Sequence, residues 1–179
     1  KIARGLPHNV TTELDLYLWE TRSAIRSDPE SLHRLKNAPA QELASDYLDG
    51  RLPSKAQEAV LKFMESYGMR GVGEIDIGRP RWREDPTHIM SVLKGYLSIE
   101  SETHSPEAVF ERSAKAAQAS IAQLEAAVRK TRGGRLKAKI VRGAARRFRA
   151  FAGFRESPKF FIICMMGVIR KGLLESGKD

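Results

Sequence analysis

Six apolar residues, Phe110, Ala114, Ala117, Ile121, Leu124 and Val128, recur at spacings of 4, 3, 4, 3 and 4. This is a heptad seam of nearly three repeats, a period that keeps side chains on one face only in an α-helix. The seam follows Ser105-Pro106, a serine suited to an N-cap and a proline suited to the first helical position. Gly133-Gly134 then marks a turn. Beyond it a second helical stretch carries Leu136, Ile140, Phe148 and Phe151 on its apolar side. Together they predict a long antiparallel helical hairpin over about 106–152.

The remainder of the chain reads the same way. Thr12 and Asp15 resemble a capping box with Asp in place of Glu, ahead of Leu14, Leu18 and Ile25 at helical spacing. Asp28-Pro29 opens a second helix, a third runs from Ala40 towards Gly50, and Pro53-Ser54 starts a fourth that Gly68 ends. From Gly68 to Pro86 the helical period disappears among five further glycines and prolines, and Glu74-Ile75-Asp76-Ile77 alternates as a short extended piece would. A helix near Thr87 to Leu97 follows. Ser157-Pro158 repeats the cap signal before a last helix that is apolar all round from Phe160 to Ile169, which predicts a buried central helix with Cys164 in its core. The fold class is therefore all-α: an irregular multi-helix bundle with the hairpin, a buried C-terminal helix over about 157–176 and one long ordered loop over about 68–86. Residues 1–179 are read as a single helical domain.

Several function classes fall away on composition. A hydrophobic share of 41% and a charged share of 30% suit a globular chain rather than a disordered one. The run Phe160 to Ile169 is about half of the roughly 20 residues a bilayer crossing needs, so no membrane partner is expected. The single cysteine permits no disulfide framework within one chain and fits a reducing, cytoplasmic setting. His8, His33, His88 and His104 are scattered without ligand spacing, so no metal site is expected. The chain starts Lys1-Ile2-Ala3 without Met and ends Glu175-Ser176-Gly177-Lys178-Asp179, which reads as a piece of a longer polypeptide.

Charge gives three candidate features. Lys and Arg number 31 against 22 acidic residues, a formal charge of +9, which suggests an anionic partner. Arg135, Lys139, Arg142, Arg146 and Arg149 form one stripe along the second hairpin helix. Such a stripe binds nucleic acid phosphates, stays solvated, or docks an acidic part of the same chain. The loop at 73–86 mixes Glu74, Asp76, Arg79, Arg81 and Arg83 with Trp82. Glu74 and Asp76 fall on one side of an extended chain, as paired carboxylates for acid–base or metal work would. The other reading is an internal ion-pair network that fixes the loop, with an arginine stacked on Trp82. Finally, Arg155 and Lys159 lie four residues apart at a helix start, where the macrodipole favours negative charge. That placement hints at an anionic or phenolic ligand; the other reading is a pair of surface cations offset by Glu156. No dinucleotide fingerprint, Walker loop or nucleophile elbow is present, so no catalytic residue is assigned.

Three runs resemble a known family. They are Leu6-Pro7-His8-Asn9-Val10-Thr11-Thr12-Glu13-Leu14-Asp15-Leu16; the run from Tyr67 to Pro86, Tyr-Gly-Met-Arg-Gly-Val-Gly-Glu-Ile-Asp-Ile-Gly-Arg-Pro-Arg-Trp-Arg-Glu-Asp-Pro; and Arg155-Glu156-Ser157-Pro158-Lys159-Phe160. In this order they resemble the phosphoenolpyruvate synthase-like enzymes, in particular the rifampicin phosphotransferase branch. The resemblance implies a central, helical, acceptor-binding region of a larger enzyme. Its ATP-grasp domain and its swivelling phosphohistidine domain would be the partners of this region. It implies ATP split to AMP and two phosphates, with ATP and Mg on the other domains and no cofactor on this one. A phosphoryl group would pass through the swivelling histidine to a hydroxyl of a small-molecule acceptor such as a rifamycin. It maps two substrate contacts onto Arg155 and Lys159, against the naphthol oxygens. The competing expectations are a basic helical nucleic-acid-binding module and a structural spacer without ligand.

Overall fold

The computed structural model describes residues 2–100, 103 and 105–177. His104, the end of the charged tail at Lys178-Asp179 and Lys1 lie outside the described residues. Among the described residues there are eight α-helices and no strand: α1 Val10–Arg26, α2 Pro29–Asn37, α3 Ala40–Leu48, α4 Ser54–Tyr67, α5 Thr87–Leu97, α6 Pro106–Arg129, α7 Gly134–Gly153 and α8 Ser157–Ser176. A 3-10 turn at Phe154–Glu156 runs directly into α8. The chain clusters into two compact units, Lys1–Glu13 with Ser101–Pro158, and Leu14–Glu100 with Lys159–Asp179.

The first unit is built on the hairpin. Ser105 caps α6 by accepting the amide of Ala108 at 3.0 Å, with Pro106 at the first helical position. Gly133 sits in the left-handed region (φ +71°) that the turn needs, and α7 returns along α6. The buried residues of α7 are Gly134, Ala138, Ala145 and Gly153, small side chains that let two helices approach closely. On the same side Arg142 reaches the buried Glu125 of α6, at 2.7 and 2.5 Å. Glu125 and Ala117 are thus the buried residues of α6, while the heptad residue Leu124 is exposed. The side predicted to be the apolar contact, Leu136, Ile140, Phe148 and Phe151, is turned outward, with Phe151 75% exposed. α7 thus meets α6 through its small residues and the Arg142–Glu125 pair, not through its largest side chains. The N-terminal segment lies against the hairpin: Arg149 donates to the carbonyls of Ile2, Arg4 and Gly5, and His8 stacks on Phe154 at 4.9 Å.

The second unit holds a conventional core. Leu18, Ile25, Leu35, Leu43, Val60, Phe63, Ile89, Met90, Leu93 and Leu97 from α1 to α5 are buried. The α2 cap is as predicted: Asp28 accepts the Ser31 amide at 3.0 Å, with Pro29 next. Ser31 in turn accepts the Ala56 amide at 3.2 Å and so ties α2 to the start of α4. Arg22 is buried, donates to the carbonyls of Tyr96 and Ile99, and lies 4.0 Å over the Trp19 ring.

Three local expectations change. The start of α1 is capped by Asn9, whose side chain accepts the Thr12 amide at 3.0 Å, so Thr12 is already inside the helix rather than its cap. Ser157 is helical (φ −62°, ψ −41°), because the 3-10 turn before it carries the chain into α8 without an extended cap residue. The predicted burial of α8 is not found. Only Ile163 and Gly167 are buried, one turn apart; Cys164 is half-buried, and Phe161, Ile162, Met165, Val168, Ile169 and Leu173 are exposed. An all-round apolar helix signals faces that favour burial. Within the second unit only the narrow side that rests on Met69 and its neighbours finds a partner.

Candidate functional site

The loop between α4 and α5 is a series of turns, with no extended segment. Its ends are pinned to each other: Trp82 N–H donates to Arg70 O at 2.8 Å and Arg83 N–H to Gly68 O at 3.1 Å. The predicted carboxylate pair is separated. Glu74 is buried at 5% exposure, whereas the Asp76 side chain is 64% exposed, paired loosely with Arg79 at 3.9 Å and accepting the Gly78 amide. The left-handed Gly73 (φ +71°) before Glu74 breaks the alternation that would have aligned the two.

Glu74 organises the loop. Arg70 grips it with two donors, Nε to Oε2 at 2.7 Å and Nη2 to Oε1 at 3.0 Å, and the Gly71 amide approaches Oε2 at 3.4 Å. The Lys159 Nζ, from the first turn of α8, lies 3.3 Å from Glu74 Oε1. Burial opposes ionisation of Glu74. The hydrogen bond and charge of Arg70, the Gly71 amide and the Lys159 ammonium outweigh it and hold the carboxyl below its usual range. The buried Arg81 donates Nη1 to the Glu74 carbonyl at 2.8 Å. Glu84 accepts the Arg81 amide and is held by Arg170, whose Nη1 also donates to the Ile77 carbonyl at 2.6 Å. Arg83 is directed at the sulfur of Met69. The arginine beside Trp82 is Arg70, 5.9 Å from the ring, and it is also 6.0 Å from the Phe160 ring. An open groove of about 500 Å³ is lined by Arg70, Gly71, Gly73, Glu74, Ile75 and Lys159, with Asp76 at its rim.

The two cations singled out at the start of α8 have different surroundings. Lys159 belongs to the second unit and joins Glu74; its side chain is half exposed. Arg155 belongs to the first unit, is 82% exposed and pairs with its neighbour Glu156 at 2.9 Å. Lys159 therefore has an acidic partner that offsets its position at a helix start. Arg70 and Arg170 were not singled out by sequence. Arg70 was within reach of a spacing argument, four residues before Glu74, while Arg170 is 86 residues from Glu84 and carried no local signal.

Of the basic stripe, Arg142 and Arg149 are engaged inside the first unit, and Arg135, Lys139 and Arg146 remain exposed. Among the described residues no group of three or more His, Cys, Asp or Glu side chains is placed to hold a metal ion, and no helix is long and apolar enough to cross a membrane.

Fold and site together define an all-α chain whose irregular loop, fixed by a buried carboxylate, presents cations beside an open groove. The family described as "Rifampicin phosphotransferase fourth domain" matches residues 1–156, and this chain belongs to it. Among curated proteins it is similar to the rifampicin phosphotransferase of Bacillus subtilis (strain 168), 29% identical over 178 residues, 99% of this chain and 20% of that protein. It is similar also to that of Streptomyces sviceus, 32% identical over 172 residues, 94% of this chain and 19% of that protein. A third, from Streptomyces sp, is 30% identical over 176 residues, 97% of this chain and 20% of that protein. The chain thus spans about a fifth of the length of the curated relatives it matches.

Proposed function

We propose that this chain is part of the acceptor-binding domain of a longer cytoplasmic, ATP-dependent phosphotransferase of the rifampicin phosphotransferase type, with Arg155 and Lys159 as contacts to the acceptor. The observation that carries the reading is the family match together with the Lys159 ammonium at the edge of an open groove. A lysine held by one carboxylate oxygen keeps further N–H donors for a ligand. Phenolate and phosphate oxygens suit such donors, because charge-assisted hydrogen bonds are the stronger kind. A rifamycin, with its naphthol oxygens, is the proposed acceptor.

The acceptor hydroxyl would be phosphorylated by a histidine on another domain, charged in turn from ATP, which ends as AMP. The residues here do not fit Mg–ATP: the sequence has no glycine-rich phosphate loop, and the described residues offer no acidic cluster for the ion. ATP and Mg are therefore assigned to the ATP-grasp domain of the longer enzyme, and this chain alone turns nothing over. Its role is to bind and orient the acceptor, the part of catalysis that fixes which hydroxyl is presented.

The test is a titration of rifamycin SV into the chain, followed by tryptophan fluorescence and by calorimetry. Trp82 lies beside Arg70 and so reports on the groove. Saturable binding that Arg155→Ala plus Lys159→Ala abolishes is expected. Binding that this double variant leaves intact, or no binding at all, counts against the reading; steeply salt-dependent binding to random duplex DNA would favour the nucleic-acid module instead.

A further inference from the structure

We infer that Glu74 is a positioning residue for acceptor binding: its buried carboxylate fixes the Lys159 ammonium at the edge of the groove, an inference that rests on the reading of Lys159 as an acceptor contact. A lysine carries a compact charge on a flexible four-carbon stem, so by itself it defines no place for a ligand oxygen. Glu74 supplies the place. Its two oxygens are locked by Arg70 at 2.7 and 3.0 Å, and Arg70 is only 18% exposed and sits near the rings of Trp82 and Phe160. The backbone around the carboxylate is fixed as well, through Arg81 Nη1 on the Glu74 carbonyl. The oxygen that Lys159 meets at 3.3 Å is thus a rigid point contributed by a loop far along the chain.

The same arrangement sets the charge that a ligand meets. Two cations, Arg70 and Lys159, face the Glu74 carboxylate. Asp76, at the rim, is screened by solvent and by Arg79 and adds little. Neutralising Glu74 releases Lys159 and adds one positive charge, so it loosens the fit to the acceptor while making the groove more attractive to any small polyanion.

The experiment is a double-mutant cycle on the 179-residue chain with rifamycin SV as the ligand, using Glu74→Gln, Lys159→Ala and their combination. Relaxation of the 13C-labelled lysine side chains is measured without ligand alongside it. Glu74→Gln is expected to mobilise the Lys159 side chain and to weaken rifamycin SV about tenfold. In the Lys159→Ala background it should change nothing further, the non-additivity that marks coupled residues. Glu74→Asp, which keeps the charge on a shorter arm, should fall between the two and stands in if Glu74→Gln does not fold. Equal losses from Glu74→Gln in both backgrounds, or an unchanged Lys159 side chain, overturn the positioning role and leave Lys159 as an acceptor contact. Binding untouched by Lys159→Ala, or absent from the unaltered chain, overturns the acceptor reading itself.

Discussion

At the scale of single residues, close approach and capping make two sharp predictions. A Cβ on Gly153 would collide with the carbonyl oxygen of Pro7, a backbone atom that cannot swing aside. Gly153→Ala should therefore cost the first unit about 1–3 kcal/mol or more. It should be seen as lost amide-exchange protection along α6 and α7, with protection in α2 to α5 kept. Ser105→Ala removes the acceptor for the Ala108 amide and should cost about 1 kcal/mol, read from the denaturation midpoint. At the residue scale local contacts were more legible than remote ones, although the Asn9 cap of α1 and the helical Ser157 escaped the sequence. The Ser105 and Asp28 caps were readable because cap and partner lie three residues apart. The pairing of Lys159 with Glu74 and of Arg170 with Glu84 was not, because nothing local in either segment specifies a partner so remote.

At the scale of elements, the loop between α4 and α5 is held by ionised carboxylates, and this gives a pH dependence with a definite sign. Burial works against the charge on Glu74 and Glu84, but the hydrogen bonds and charges of Arg70 and Arg170 with their neighbours depress both carboxyls. A depressed acid contributes stability that is fully present above its unfolded value, about 4.3, and is lost as pH falls through the lower folded value. The second unit should therefore melt at a lower temperature below about pH 4 than at pH 6. Glu74→Gln should flatten that part of the profile, measured by circular dichroism melts across the range. The helices themselves were legible: α5 is found at Thr87–Leu97, where periodicity placed it, and α6 starts at the predicted serine cap. The faces were less so. Periodicity says which residues of α7 share a side, but not that the side with Arg142, Ala138 and Ala145 would be the one facing α6. The alternation at 74–77 suggested an extended piece, but Gly73 turned it into a turn and sent Glu74 inward and Asp76 outward.

At the scale of the whole molecule, the two outward apolar faces are the main consequence of the fold. Leu136, Ile140, Phe148 and Phe151 on α7, and Phe161, Met165, Val168 and Ile169 on α8, are each more than half exposed. Contiguous apolar surface of this kind drives association. The chain should self-associate with rising concentration, as followed by sedimentation velocity, and Phe148→Gln with Phe151→Gln should shift the distribution towards the monomer.

The proposed acceptor site lies beside Lys159 and the Glu74 loop. Nuclear magnetic resonance shift mapping, with rifamycin SV titrated into the isotopically labelled chain, tests it most directly. Saturable shifts are expected at the Lys159 side chain, the Trp82 indole and the amides of Gly71 to Asp76. Shifts confined to the exposed cations of α7, or spread over the apolar faces with the Glu74 loop silent, would contradict it.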